Sequence, residues 1–212
     1  MFPPTNVVRH GANKPLLRKW GRAYTMQTMR PVLFYTVGLP GAGKTSFARN
    51  MAHWLTIEHL RGDKIGFELF RFPTFSPQER QMVYAEMGRR AGEHLQAGRH
   101  VLYDAAVNTR AQRQELTALA KKSGGTAVGV WVRVPTELAK KRAGGLRDAN
   151  LAGPVARIIP PHIFDQYVAA FEAPTNEQNI IIVAGDAYFA LQYRRLQRQL
   201  GGAVKAMPRL VQ

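Results

Sequence analysis

The 212-residue chain contains no cysteine. Disulfides, thiolate metal sites and cysteine nucleophiles are thereby excluded, and the absence fits a reducing, cytoplasmic interior. No apolar run approaches the ~18 residues that a membrane-spanning helix requires, so no membrane partner is expected. No internal repeat and no low-complexity block is present. Acid is missing from both ends: all 14 Asp and Glu residues lie between Glu58 and Asp186.

What is there in excess is positive charge, a formal +16 on a chain whose 45% hydrophobic content is ordinary for a globular fold. Residues 1–30 carry six Lys and Arg, and residues 190–212 carry five, without one acid among them. The body between them is left at only +5. Basic ends of this kind attract polyanions such as nucleic acid through counterion release. A generic basic tail, or contact with anionic lipid, accounts for the same composition. Pro3, Pro4, Gly11, Pro15 and Gly21 break up the first 30 residues, which read as a flexible basic extension. An organellar transit peptide has similar composition, but no long amphipathic helix follows Pro3-Pro4.

From Pro31 the texture changes to alternating strand and helix. Val32–Val37 is a continuous apolar and β-branched run, as in a strand buried on both faces of a parallel sheet. A helix is expected from Lys44 to about Leu60, and Ile65–Phe70 reads as a second strand. Ser76-Pro77-Gln78-Glu79 is a helix start, with a capping Ser, Pro at the first position and Glu three residues on; that helix should reach Gln96. His100–Asp104 reads as a third strand, followed by a helix from Asn108 or Thr109 to Ser123. Ala127–Val134 is a fourth strand, Pro135–Arg142 a helix, Pro161–Phe171 another, Ile180–Val183 a fifth strand and residues 187–199 a last helix. This alternation predicts an α/β fold: a five-stranded parallel sheet with helices on both faces. The domain is expected over residues 31–189, with a basic helix and tail over 190–212.

The decisive string is Gly38-Leu39-Pro40-Gly41-Ala42-Gly43-Lys44-Thr45, which satisfies G-x-x-x-x-G-K-[ST] in full. Glycines at 38, 41 and 43 let successive N–H groups turn inward on phosphate oxygens, and the following helix aims its positive end at the same anion. Lys44 is expected on the outer phosphates of ATP or GTP, with the Thr45 hydroxyl on Mg2+ and Ser46 as a further contact. A plain Gly-rich turn does not explain Lys44 followed by Thr45. Asp104 ends the third strand at the edge where ligands bind in open α/β sheets, so it is a candidate second magnesium ligand; capping the next helix is its alternative role.

The run Asp104-Ala105-Ala106-Val107-Asn108-Thr109-Arg110, with Arg113 and Leu116 beyond, resembles the D-x-x-x-N-x-x-x-R region of small P-loop kinases. These are the relatives of polynucleotide kinase and zeta toxin, often described as AAA-type ATPases. The resemblance spans roughly Val32 to Asp186. It implies a short helical lid, here about residues 143–160, whose arginines close over the transferring phosphate; Arg142 and Arg147 match. It also implies a general base after the second strand in a D-x-x-R pattern. Glu68-Leu69-Phe70-Arg71 is the matching segment, so Glu68 is the expected base, standing where Asp is usual. Arg71, Arg110 and Arg113 are then candidates for holding the acceptor. His162 is expected to be structural, and His53, His59, His94 and His100 show no metal-ligand spacing.

The function expected from this reading is transfer of the γ-phosphate of ATP to a hydroxyl of a nucleic acid or nucleotide. A small-molecule or nucleotide-sugar kinase, and an ATP-dependent switch that phosphorylates nothing, are the alternatives. After Asp186 too few residues remain for the helical C-terminal domain of an oligomeric AAA+ motor.

Overall fold

The computed structural model describes residues 30–74, 76–145 and 158–200. Arg147, most of the expected lid, residues 1–29 and residues 201–212 lie outside the described residues. Five parallel strands form one sheet in the order β2-β3-β1-β4-β5: β1 Val32–Val37, β2 Glu58–Arg61, β3 Val101–Asp104, β4 Thr126–Arg133 and β5 Ile180–Ala184. Seven helices join them among the described residues: α1 Lys44–Trp54, α2 Gly62–Leu69, α3 Pro77–Gln96, α4 Arg110–Lys122, α5 Thr136–Gly144, α6 Pro161–Ala169 and α7 Phe189–Leu200. The predicted fold class is the observed one.

β1 shows why the sheet is covered twice. All six of its residues are buried, and they alternate between two cores. Val32 and Phe34 join Phe47 and Met51 of α1 and Tyr193 and Leu196 of α7. Leu33, Tyr35 and Val37 join Met87 and Leu95 of α3 and Leu116 of α4. A period of two on a doubly covered strand sends successive side chains to opposite layers. α7, the last helix, thus contributes to the core and is not merely a basic appendage.

The helix starts were legible. Ser76 Oγ accepts the Glu79 N–H at 3.2 Å with Pro77 opening α3. Thr109 and Gln112 make a reciprocal capping box at the start of α4. The second strand was not. Residues 65–70 are not a strand: they fall almost wholly in α2, and the strand is the polar Glu58–Arg61, with α1 ending at Trp54. β2 lies at the sheet edge, and of its four residues only Leu60 is buried, so it needs no apolar run. The apolar run belongs to a helix that buries Ile65 and Gly66 and leaves Phe67 and Leu69 43% and 42% exposed. Short apolar runs do not distinguish the two conformations by themselves.

Candidate active site

The loop between β1 and α1 is held in left-handed backbone by its glycines, with φ of 141° at Gly38, 81° at Gly41 and 100° at Gly43. Close packing adds to the requirement. A Cβ on Gly41 would sit 2.2 Å from the Ala139 carbonyl oxygen of α5, and one on Gly185 would sit 2.0 Å from the Ala42 carbonyl oxygen. Asn108 Oδ1, from the loop after β3, accepts the Gly38 N–H at 3.1 Å and pins the loop from the third side.

α1 differs from α3 and α4 at its start. Its N-cap is Gly43, with no side-chain cap and no acid in the first turn. Its leading N–H groups therefore lack the side-chain acceptor that Ser76 and Thr109 provide elsewhere, and the helix dipole reinforces the demand for an anion. Lys44 Nζ donates to the carbonyls of Gly38 at 2.7 Å and Leu39 at 2.9 Å, which holds its charge at the mouth of the loop. Thr45 is half-buried and Ser46 exposed beside it. Arg142 Nη1 reaches the Gly185 carbonyl at 3.4 Å, and so stands next to the turn that backs the loop.

Asp104 closes β3, the strand adjacent to β1, with one carboxylate oxygen 3.0 Å from His59 Nε2 of β2. It opens into a cavity of about 340 Å³ between α2, α3 and the end of β3. Asp63 lines the same cavity. Arg61, the last residue of β2, grips both oxygens of Asp63 through Nε and Nη2, and the Lys64 N–H adds a bond at 2.8 Å.

The expected base is displaced by the corrected strand. Glu68 does not follow a strand; it lies on α2, exposed, with Oε2 taking Arg90 Nη1 of α3 at 2.7 Å. The carboxylate that follows the second strand is Asp63, which the sequence reading passed over. The signal was present in Arg61-Gly62-Asp63, a glycine break and an acid after a short alternating segment, but the polar edge strand concealed it.

The three arginines expected to hold an acceptor are dispersed. Arg71 is exposed and lies over the Phe72 ring, 5.4 Å from its centroid. Arg110 is exposed at the start of α4, its N–H bonded to Glu172. Arg113 is only 1% exposed, so the expected acceptor contact is replaced by a buried bidentate pair with Glu177, at 2.6 and 2.8 Å. Arg113 holds the Glu177 carboxyl below its ordinary pKa through these bonds. Burial, reinforced by Glu177, pushes the neighbouring Tyr35 hydroxyl up to about 12. His162 is exposed on α6.

A family model described as AAA domain matches residues 33–174. The chain belongs to that family. Its fold is shared with solved kinase structures. It is similar to a gluconokinase from Sinorhizobium meliloti 1021, at 16% identity and TM-score 0.59, over 84% of this chain and 95% of that one. It is similar to a sugar kinase from Janibacter sp. HTCC2649, at 16% identity and TM-score 0.56, over 80% and 92%. It is also similar to a chain of the Pnkp1/Rnl/Hen1 RNA repair complex, at 19% identity and TM-score 0.55, over 67% of this chain but 44% of that longer one. At these identities the likeness is one of fold. No curated protein matches the sequence. No helix of the described residues is long and apolar enough to cross a membrane.

Proposed function

We propose that this AAA-domain protein is an ATP-dependent kinase that phosphorylates a hydroxyl group. The observation that carries the reading is the pairing of an uncapped, glycine-shaped phosphate loop with a cavity among whose lining carboxylates are Asp63 and Asp104. A switch needs the loop but not the second carboxylate.

The residues fit a magnesium nucleotide. Loop N–H groups and Lys44 would hold the phosphates, and Arg142 would neutralise charge at their outer end. Magnesium keeps several waters and needs only one or two protein ligands, so Thr45 Oγ1 and the Asp104 carboxylate suffice. When bound, ATP with magnesium supplies the transferable phosphoryl group. Lys44 would exchange its Gly38 and Leu39 carbonyl partners for phosphate oxygen, and the Asp63 carboxylate, held by Arg61, would take the proton of the acceptor hydroxyl. Arg147 remains a candidate lid residue on the resemblance alone.

For the acceptor, the acid-free basic ends favour a nucleic acid or nucleotide, and the confined cavity favours a small molecule. The test is incubation with γ-labelled ATP and magnesium against 5′-hydroxyl DNA and RNA, nucleosides, sugars and nucleotide sugars. Label on a hydroxyl is the expected result. Release of free phosphate alone, with every acceptor unlabelled, would sink the kinase reading.

A further inference from the structure

The cavity that holds Asp63 and Asp104 does not end at the sheet edge. Three of its lining residues, Arg80, Tyr84 and Ala106, also line a second hollow of about 660 Å³ between α3 and α4. Bordered by the same three residues, the two hollows are adjacent lobes of one channel-like surface along α3. The outer lobe exists because α3 is small-faced there. Ala85 and Gly88 lie a turn beyond Gln81 and Tyr84 and leave space toward Leu116 and Leu119 of α4. A Cβ on Gly88 would meet Leu119 Cδ2 at 3.9 Å, an ordinary contact, so the gap does not depend on glycine's backbone.

The charge of the channel runs against that of the molecule. Among the described residues that line the two lobes, the carboxylates are Asp63, Glu79, Asp104 and Glu115, and the one arginine or lysine is Arg80. Arg61 offsets Asp63, and His59 faces Asp104. Even so, a chain of formal charge +16 turns no surplus of cations toward this channel. Apolar surface dominates the rest: Phe70, Val83 and Tyr84 inside, and Val107, Leu116 and Leu119 outside.

We propose that the acceptor is an uncharged or cationic alcohol with an elongated aromatic or aliphatic body. Its hydroxyl lies beside Asp63 and its body in the groove between α3 and α4. The inference rests on the kinase reading and narrows it. A polynucleotide or phosphorylated sugar would bring anionic groups among carboxylates, and like-charge juxtaposition disfavours such an occupant. An apolar ring system gains by leaving water against Tyr84, Leu116 and Leu119.

Equilibrium binding of matched naphthyl alcohols to the full chain tests this. One compound is neutral, one carries an added ammonium group and one an added phosphate; a 5′-hydroxyl hexadeoxynucleotide is measured beside them. The neutral and ammonium compounds should bind at least ~10-fold more tightly than the phosphate compound and the oligonucleotide. Gly88→Leu, which fills the outer lobe while improving helix propensity, should weaken the first two by ~10-fold and leave ATP affinity unchanged. Ala85→Leu, at an exposed position of the same groove, is the second blocking variant and should act in the same direction. Equal or tighter binding of the phosphate compound or oligonucleotide would overturn the proposal. So would a failure of the neutral and ammonium compounds to bind, or indifference to both blocking variants. Failure of the kinase reading has a separate signature: the alcohols bind in this order but accept no label from ATP, which removes their role as acceptors.

Discussion

The phosphate loop is built from backbone, whereas the cavity beside it is built from the side chains of several elements. Gly41 and Gly185 each bring two main chains closer together than any Cβ allows, and Asn108 bonds an amide N–H of the loop itself. Across the sheet, Asp63 comes from the first turn of α2, Asp104 from the end of β3, and Arg80 and Tyr84 from α3. A phosphate group demands converging N–H donors, which only one backbone shape supplies. An alcohol demands only a proton acceptor and a shaped wall, which many side-chain sets can supply. The phosphate loop is therefore constrained by geometry, and the cavity wall, the acceptor side of the proposed kinase, is free to vary.

The widest separation between the two sides should come from Lys44→Ala. Transfer should fall by ~10³-fold or more, because the ammonium neutralises charge that develops at the phosphates. The unfolding midpoint should stay within about 2 °C, since the Lys44 ammonium bonds two carbonyls of its own loop, Gly38 and Leu39. Retained activity in a scintillation assay would remove the loop from the chemistry.

On the acceptor side, Asp63→Asn should lower kcat by ~10²-fold or more, and Glu68→Gln should stay within about twofold. Steady-state kinetics of the two variants decide between the carboxylates. The opposite order would return the base to Glu68 and make α2, not its first turn, the catalytic element.

Asn108→Ala sits between the two sides and should act moderately. It strips the Gly38 N–H of its acceptor and should cost about 1 kcal/mol of stability in urea unfolding. The dissociation constant for ATP should rise with it, while binding of a neutral alcohol should not move.

The smallest effect concerns pH, and it probes the sheet that both sides share. His100 Nδ1 accepts the Val32 N–H at 3.0 Å, which only a ring unprotonated at that nitrogen can do, and burial lowers its pKa from the ordinary 6.5. The folded pKa lies below the unfolded one, so the unfolded chain binds the proton first on acidification. The contribution is complete above about 6.5 and is lost as pH falls from there toward the folded value. Urea midpoints at pH 7.5 and 5.5 should therefore differ less in His100→Gln than in the parent chain. An equal difference would show that His100 titrates alike in both states.

The same contrast governs what could be read without coordinates. Gly38 to Thr45 declared its conformation because glycine and lysine spacing is dictated by the anion. The caps of α3 and α4 declared theirs through local hydrogen bonds of Ser76 and Thr109. β2 stayed hidden because an edge strand keeps polar residues, and its misplacement drew the expected base to Glu68 and away from Asp63, the carboxylate that follows the observed strand. Arg113 misled for another reason. Nothing in one-dimensional sequence shows that Glu177, 64 residues away, will bury it in a bidentate pair.

The rear wall of the loop has a consequence for how the protein is made. The segment 38–45 is pressed against Val132, Ala139 and Gly185, which are translated some 90 to 140 residues later. A ribosome-bound chain that has released the glycine-lysine string still lacks the surfaces that hold it in shape. Such long sequence separations delay native contacts until most of the domain has emerged. Phosphate recognition should thus arrive last during synthesis, when the turn after β5 docks on Ala42. Affinity for a nucleotide then serves as a report that the whole sheet has closed.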